Sequence, residues 1–217
     1  MDTFGFGTSR PHVACGPSSE DTFIERIAAG WLPSLFVAID FETANLRSTS
    51  ACAVSVVRVK AGEPEQARGL LIKPPPGPFL FTWVHGIRRR DVHHAEVFGS
   101  AWPKLLPLLE GAAFVAAHNA EFDRGVLETS CEHAGLVPPA LPFVCTVRLA
   151  RRIWDPTRVD LRSLCKRLGI PLVHHDPGSD ATACARIVVA ASDAAQGSPQ
   201  RGTASSDSSP VSAEGQK

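Results

Sequence analysis

Apolar residues fall along the chain in two rhythms. From 35 to 43 the sequence reads Leu-Phe-Val-Ala-Ile-Asp-Phe-Glu-Thr, the apolar run expected of a strand buried on both faces of a sheet. Residues 51–60 are rich in β-branched side chains and predict a second strand. A Gly-Glu-Pro turn within 61–65 leads to a third strand at 68–73, stopped by Pro74, Pro75 and Pro76. Three neighbouring strands with short turns predict an antiparallel meander. Residues 112–117 predict a fourth, buried strand and 142–146 a fifth. Helical spacing places Trp102, Leu105, Leu106 and Leu109 on one face, with Pro103 and Pro107 shortening or kinking that helix. A further helix follows Asp123, with Val126, Leu127 and Cys131 on one face, and residues 147–154 predict another. Leu161, Leu164, Cys165 and Leu168 mark a helix that stops at Gly169. The last helix opens at Pro177, carries Asp180 in its first turn and buries Cys184, Ile187 and Val188. Thr22-Phe23-Ile24-Glu25 has the form of a capping box and predicts a short helix before strand one. This order predicts an α/β fold with a mixed five-stranded sheet, strand one at its centre, flanked by helices.

Composition sets the domain limits. The chain has 217 residues, 44% of them hydrophobic, enough for one domain plus extensions. Residues 1–34 are expected to be a flexible arm containing a short helix, 35–195 the domain, and 196–217 a disordered tail of Ser, Gly, Pro, Gln and Ala. The six cysteines form no C-x-x-C pair, and Cys52, Cys145 and Cys184 sit among apolar neighbours. They predict buried thiols in a reducing compartment, not a disulfide frame or a zinc site. No apolar run approaches the roughly 20 residues of a membrane helix, and the N-terminus lacks a secretory h-region. The expectation is a soluble, cytoplasmic protein with no membrane partner.

Net charge is zero, so no global field draws a polyanion. Between residues 35 and 195, however, 18 Lys and Arg face 16 Asp and Glu, a net of +2. Four of those acids stand at predicted element ends. Asp40 and Glu42 share one face of strand one, because side chains alternate along a strand. Asp123 opens one helix and Asp180 another. Taken alone, the Asp40–Glu42 pair also reads as two solvated acids at a strand end. Taken together, four carboxylates suit two hard divalent cations, Mg2+ or Mn2+, and not zinc. Two such ions, roughly 3.5–4 Å apart, clamp in-line attack on a phosphodiester. With their charge neutralised, the rest of the region is +6, a mildly basic surround that suits a nucleic acid. His175, five residues before Asp180, suits a base that takes the proton from the attacking water.

A family resemblance rests on these residues. Phe36 to Thr43 resembles the first motif (D-x-E-T) of the DEDDh 3′→5′ exonucleases. His118-Asn119-Ala120-Glu121-Phe122-Asp123 resembles the second (N-x-x-F-D), and His175 to Asp180 with Ala181 the third (H-x-x-x-x-D-A). His85-Gly86-Ile87 is similar to a segment of the group that includes the proofreading epsilon subunit of bacterial DNA polymerase III. The resemblance implies a ribonuclease H-like fold, two metal ions and stepwise release of nucleoside monophosphates from a 3′ end. The sister group with tyrosine in place of the histidine is excluded, because this chain has no tyrosine.

The resemblance also implies substrate contacts. Thr43 matches the contact to the terminal nucleotide and reads equally as a strand-end threonine. His85, Gly86 and Ile87 match the segment along the terminal base. Asn119 matches a residue that orients the second motif and also reads as a turn former. Trp83 reads as core packing ahead of base stacking. His118, His133, His93 and His94 read as surface or locally bonded. Single-stranded DNA ends are the first expected substrate, with two alternatives, a 3′ exoribonuclease of the same family or a polymerase-associated proofreading subunit in an accessory role. A DNA polymerase or repair protein is the further expected partner.

Overall fold

The structure is a computed structural model that describes residues 19–173 and 176–197. In chain order the elements are α1 (Ser19–Ala28), β1 (Leu35–Thr43), β2 (Ala51–Lys60), β3 (Glu63–Lys73), α2 (Thr82–His85), β4 (Glu96–Val97), α3 (Phe98–Ala101), α4 (Leu106–Leu109), β5 (Val115–Ala117), α5 (Ala120–His133), β6 (Phe143–Cys145), α6 (Thr146–Trp154), α7 (Leu161–Leu168) and α8 (Pro177–Gln196). The sheet runs β4-β3-β2-β1-β5-β6. β2 is antiparallel to both β1 and β3, while β5 is parallel to β1 and β6 to β5.

The meander forms as predicted, with two differences. The turn between β2 and β3 is only Ala61-Gly62, with φ of +50° and +82°, the left-handed pair that a two-residue hairpin requires. β3 therefore starts at Glu63, five residues earlier than expected. Pro64 fits near the start of that strand, opposite Val59, where the β2–β3 register shifts. The sheet also has six strands, not five. The added one, β4, is two residues long and pairs in parallel with Ile72 and Lys73 at the edge. Two residues carry no readable period, so this strand left no pattern in the sequence. Pro103 and Pro107 act as expected and divide the 98–109 segment into α3, a 3₁₀ turn and α4.

Strand β1 separates two cores. Val37, Ile39 and Phe41 face Trp102, Leu105, Val126 and Leu127. Phe36 and Ala38 face the other way, towards Phe114, Cys184, Val188 and Ile27. Asp40 and Glu42 follow Phe36 and Ala38 in the two-residue period, so they point to the side covered by α8.

Residues 19–34 are part of this packing and are not a loose arm. Ile24 and Ile27 are buried in the second core. Glu25 accepts two hydrogen bonds from Arg152 of α6, at 2.7 and 2.9 Å. Arg148 of the same helix pairs with Glu20 and Asp21. After α1, the Gly30 carbonyl accepts from Ser192 Oγ and Gln196 Nε2 near the end of α8. The physical reason is the apolar stripe of α1, which has no other surface to bury. Residues 1–18 and the expected tail from Ser198 onward lie outside the described residues. Cys52, Cys131, Cys145, Cys165 and Cys184 are buried free thiols, as expected.

This arrangement predicts that apolar burial, and not the exposed ion pairs, holds α1 in place. Ile27→Ala should lower the unfolding free energy by about 2–5 kcal/mol. Arg152→Gln should change urea denaturation little, because its pair lies in solvent. A negligible effect of Ile27→Ala would show that α1 is an accessory to the fold.

Candidate active site

Asp40, Glu42 and Asp180 offer oxygens that all lie within 4.8 Å of one another. They come from β1 and from the first turn of α8. Asp176 begins α8: its Oδ1 accepts the Ser179 N–H at 2.8 Å, and its carbonyl accepts the Asp180 N–H at 3.0 Å. Asp180 thus stands in the first turn, where the helix dipole favours negative charge. Next to Glu42 the β1–β2 register shifts, a bulge that re-aims the strand end.

Asp123 reaches the same region differently. β5 runs beside β1, and the chain turns at Asn119 in the left-handed region (φ +66°, ψ +54°) before entering α5. That turn brings the first turn of α5 against the end of β1. Asp123 is buried, and its Oδ1 accepts the Phe41 N–H at 3.0 Å. It stands beside the three-carboxylate group as a buried neighbour, with one oxygen tied to the strand backbone.

Burial governs the electrostatics. It pushes the Asp123 carboxyl up to about 8 against the opposing pull of the Phe41 N–H. Burial, and then Asp180, brings Glu42 to about 7. Burial, and then Asp176, brings Asp180 to about 6. Asp40 is raised well above the carboxylate range by burial, then by Asp123, Glu42 and Asp180. Asp40 Oδ2 and Asp180 Oδ1 are buried and have no hydrogen-bond partner among the described residues. Unpaired buried oxygens of this kind are costly. A hard divalent cation would satisfy both, and the all-oxygen donor set suits one.

The other sequence-predicted residues divide. Thr43 is buried at the strand end, and its carbonyl lies 3.2 Å from His85 Nε2. His85 Nδ1 accepts the Ile87 N–H at 3.1 Å, so the ring proton sits on Nε2 and is donated to Thr43. The His85 ring is therefore buried and fastens the Gly86-Ile87 loop to β1. Gly86 is exposed at φ +77°, the cap of α2. Ile87 lines a groove of about 330 Å3 with Ala53, Ser55, Gly69, Asp176 and Gly178. Asn119 is exposed and lines a different cavity with Glu20, Arg124 and Arg148. Its contribution is the turn. His118 is locally bonded as expected, Nδ1 lying 2.9 Å from Thr146 Oγ1, and burial lowers its pKa. His174 and His175 lie outside the described residues. The residues flanking them are joined by an Asp176 N–H to Val173 O bond of 3.2 Å.

Trp83 departs from expectation. It is 84% exposed and not in the core. α2 is a single turn laid on Ala44, whose carbonyl accepts the Leu80 N–H at 2.7 Å. Only His85 of that turn is buried, and Trp83, two residues away, points outward. Sequence reasoning also missed Ser55 and Gly69. Register pairs Asp40 with Ser55 and Ser55 with Gly69. A Cβ at Gly69 would meet Ser55 Oγ at 3.0 Å, so small residues keep the groove beside Asp40 open. Only the strand pairing shows this.

The raised carboxyl pKa values fix a sign. A carboxyl of about 4 in the unfolded chain that titrates between 6 and 8 when folded holds extra protons in the native state. Its stabilisation is complete below the unfolded value and is lost as pH rises through the folded values. In chelator, the melting temperature should therefore fall between about pH 5 and pH 8, and saturating Mg2+ should remove most of that fall. Asp40→Asn should flatten the dependence and melt no lower than wild type in chelator. A melting temperature that rises over this range would contradict this account of the site.

Comparison with known proteins agrees with the geometry. The RNase T family, described as exonuclease, matches residues 37–188. DNA polymerase III PolC-type of Thermotoga petrophila is 26% identical over 156 residues, covering 70% of this chain and 11% of that protein. The chain thus spans about a tenth of the length of this relative. Among solved structures, "Exonuclease X in complex with 5′ overhanging duplex DNA" aligns with a TM-score of 0.61 and 23% identity, over 74% of this chain and 93% of that one. A 3′-exonuclease described as recognising the histone mRNA stem-loop aligns with a TM-score of 0.65 and 17% identity, over 78% of this chain and 66% of that one. These likenesses share the α/β fold described above, and the family match extends from β1 into α8, through all four acids: the chain belongs to the RNase T exonuclease family.

Proposed function

We propose that this protein is a metal-dependent 3′→5′ exonuclease that releases nucleoside monophosphates from single-stranded DNA ends. The observation that carries this reading is the set of Asp40, Glu42 and Asp180 oxygens within 4.8 Å, with Asp40 Oδ2 and Asp180 Oδ1 buried and without a hydrogen-bond partner among the described residues. DNA is placed ahead of RNA because the curated relatives include DNA polymerases, and the same likeness supports a polymerase or repair partner. Among the described residues no helix is long and apolar enough to cross a membrane.

In this reading Asp40, Glu42, Asp123 and Asp180 hold two Mg2+ or Mn2+ ions. Bound there, the ions would supply positive charge for attack at phosphorus and for the departing oxygen. His175 takes the proton from the attacking water. The water oxygen bonds to phosphorus, the P–O3′ bond breaks, and the departing O3′ takes a proton from solvent, leaving a new 3′-hydroxyl on the shortened strand and a nucleoside 5′-monophosphate. Thr43 and the Gly86-Ile87 loop, held together by His85, border the terminal nucleotide. Trp83, exposed beside them, offers a face for a base.

Labelled DNA and RNA strands incubated with Mg2+, Mn2+ or chelator test the reading. Shortening from the 3′ end with metal, faster on DNA, is expected. Products that carry internal cuts, or cleavage that persists in chelator, would overturn it. His175→Ala should lower kcat by at least about a hundredfold while substrate still binds. His174→Ala should cost less than about tenfold, since the motif spacing selects only His175. The rise in rate through the histidine pKa should vanish in His175→Ala alone. Equal impairment of the two variants would reject the assignment.

A further inference from the structure

Two neighbouring helices treat their cations differently. α6 carries Arg148, Arg151 and Arg152, and two of the three, Arg148 and Arg152, are paired with acids of α1. α7 turns Leu164 and Cys165 inward and leaves Arg162, Lys166 and Arg167 exposed. Among the described residues no carboxylate forms an ion pair with any of these three. Arg158, exposed in the preceding turn, adds a fourth cation. The one acid between Arg158 and Arg167 is Asp160, already engaged as the cap of α7, accepting the Ser163 N–H at 2.9 Å. Arg162 and Lys166 are also one turn apart, a like-charge spacing that costs the helix a few tenths of a kcal/mol.

This cationic face adjoins the carboxylate site. Leu164 of α7 packs with Ile187 of α8. Cys165, on the inner side of α7, lies close enough to Asp180 to feel its charge. The outer face is thus about one helix diameter, 10–12 Å, from the region of Asp180. A nucleic-acid strand carries a phosphate about every 3.4 Å when stacked, so its backbone covers that distance in about three or four nucleotides. Arg side chains match phosphate oxygens in a fork. α7 has no aromatic residue, so this face offers charge without a stacking platform.

We propose that the exposed face of α7, with Arg162, Lys166 and Arg167, binds the sugar–phosphate backbone of the substrate strand about three or four nucleotides upstream of the 3′ end. It rests on the nuclease reading of the carboxylate site. The contact is electrostatic and independent of base sequence, and it draws longer strands to the site without touching the scissile bond.

The test is the triple variant Arg162→Gln, Lys166→Gln, Arg167→Gln in the full chain. Fluorescence anisotropy with a cleavage-resistant phosphorothioate 12-mer is read across a salt series in Mg2+. The log–log salt slope should become shallower by about 2, at about 0.7 per charge on a single strand. The Kd at 0.1 M salt should weaken at least about tenfold, and Lys60→Gln, an exposed cation paired with Glu65, should change neither. Cleavage of an unmodified DNA 12-mer should show a raised KM, while a dinucleotide should be cleaved within about twofold of wild type. If the triple variant melts early, Lys166→Gln alone should still shift the slope by about 0.7. An unchanged slope and Kd would overturn the proposal. So would equal loss of the dinucleotide, or polyglutamate competing as well as a DNA 12-mer, which would assign the face to an acidic protein. If wild type cleaves neither DNA nor RNA, the nuclease reading fails, and the anisotropy series still decides this surface.

Discussion

Like charges held out of water are the constraint on which this structure turns. Asp40, Glu42 and Asp180 bring their oxygens within 4.8 Å, and Asp123 is buried against the same strand. Burial alone opposes ionisation of each, and their mutual repulsion adds to it. Such an arrangement persists only where the surrounding fold is stable enough to impose it. The architecture can be read as the means of holding these four groups in place.

Three devices do this. The two-residue period of β1 gives one face to Val37, Ile39 and Phe41 and the other to Asp40 and Glu42, so the same strand that anchors the core displays the acids. Two helices begin at the strand end and place Asp123 and Asp180 in their first turns, where the helix dipole offsets part of the charge. Finally, α1 packs on α6 and α8 and joins the far end of α8 through Gly30, fixing the helix that carries Asp180. The acid that lies deepest, Asp123, is also the one fastened to the backbone of β1.

Around this centre the surface is divided by chemistry. On one side, His85 spends both ring nitrogens on backbone groups and so holds the Gly86-Ile87 loop, leaving Trp83 outward. On β2 and β3, Ser55 and Gly69 leave a groove beside Asp40. On the α7 side, cations without an ion pair among the described residues face solvent, while Arg148 and Arg152 of α6 are paired with acids of α1. Zero net charge for the whole chain conceals this separation, because an acidic centre and a basic flank cancel in the sum.

The sequence by itself determined the meander, the long helices, the proline-broken segment and the positions of Asp40, Glu42, Asp123 and Asp180 along those elements. Each of these depends on local period, on a capping residue or on motif spacing, which are properties of neighbours along the chain. It also determined that the Asp40 and Glu42 side chains share a face, since alternation follows from strand geometry alone. Tertiary structure decided the rest. Only the pairing of β2 with β1 and with β3 sets Ser55 beside Asp40 and Gly69 beside Ser55. Only packing shows that α1 belongs to the core, that Trp83 faces outward, and that Asp123 bonds to the Phe41 N–H across 82 residues of chain. The edge strand β4, two residues long, exists because Ile72 and Lys73 offer it unpaired backbone groups. That Arg148 and Arg152 of α6 are paired depends on where α1 comes to rest. These features arise from contacts between residues far apart in sequence, and no local period encodes them.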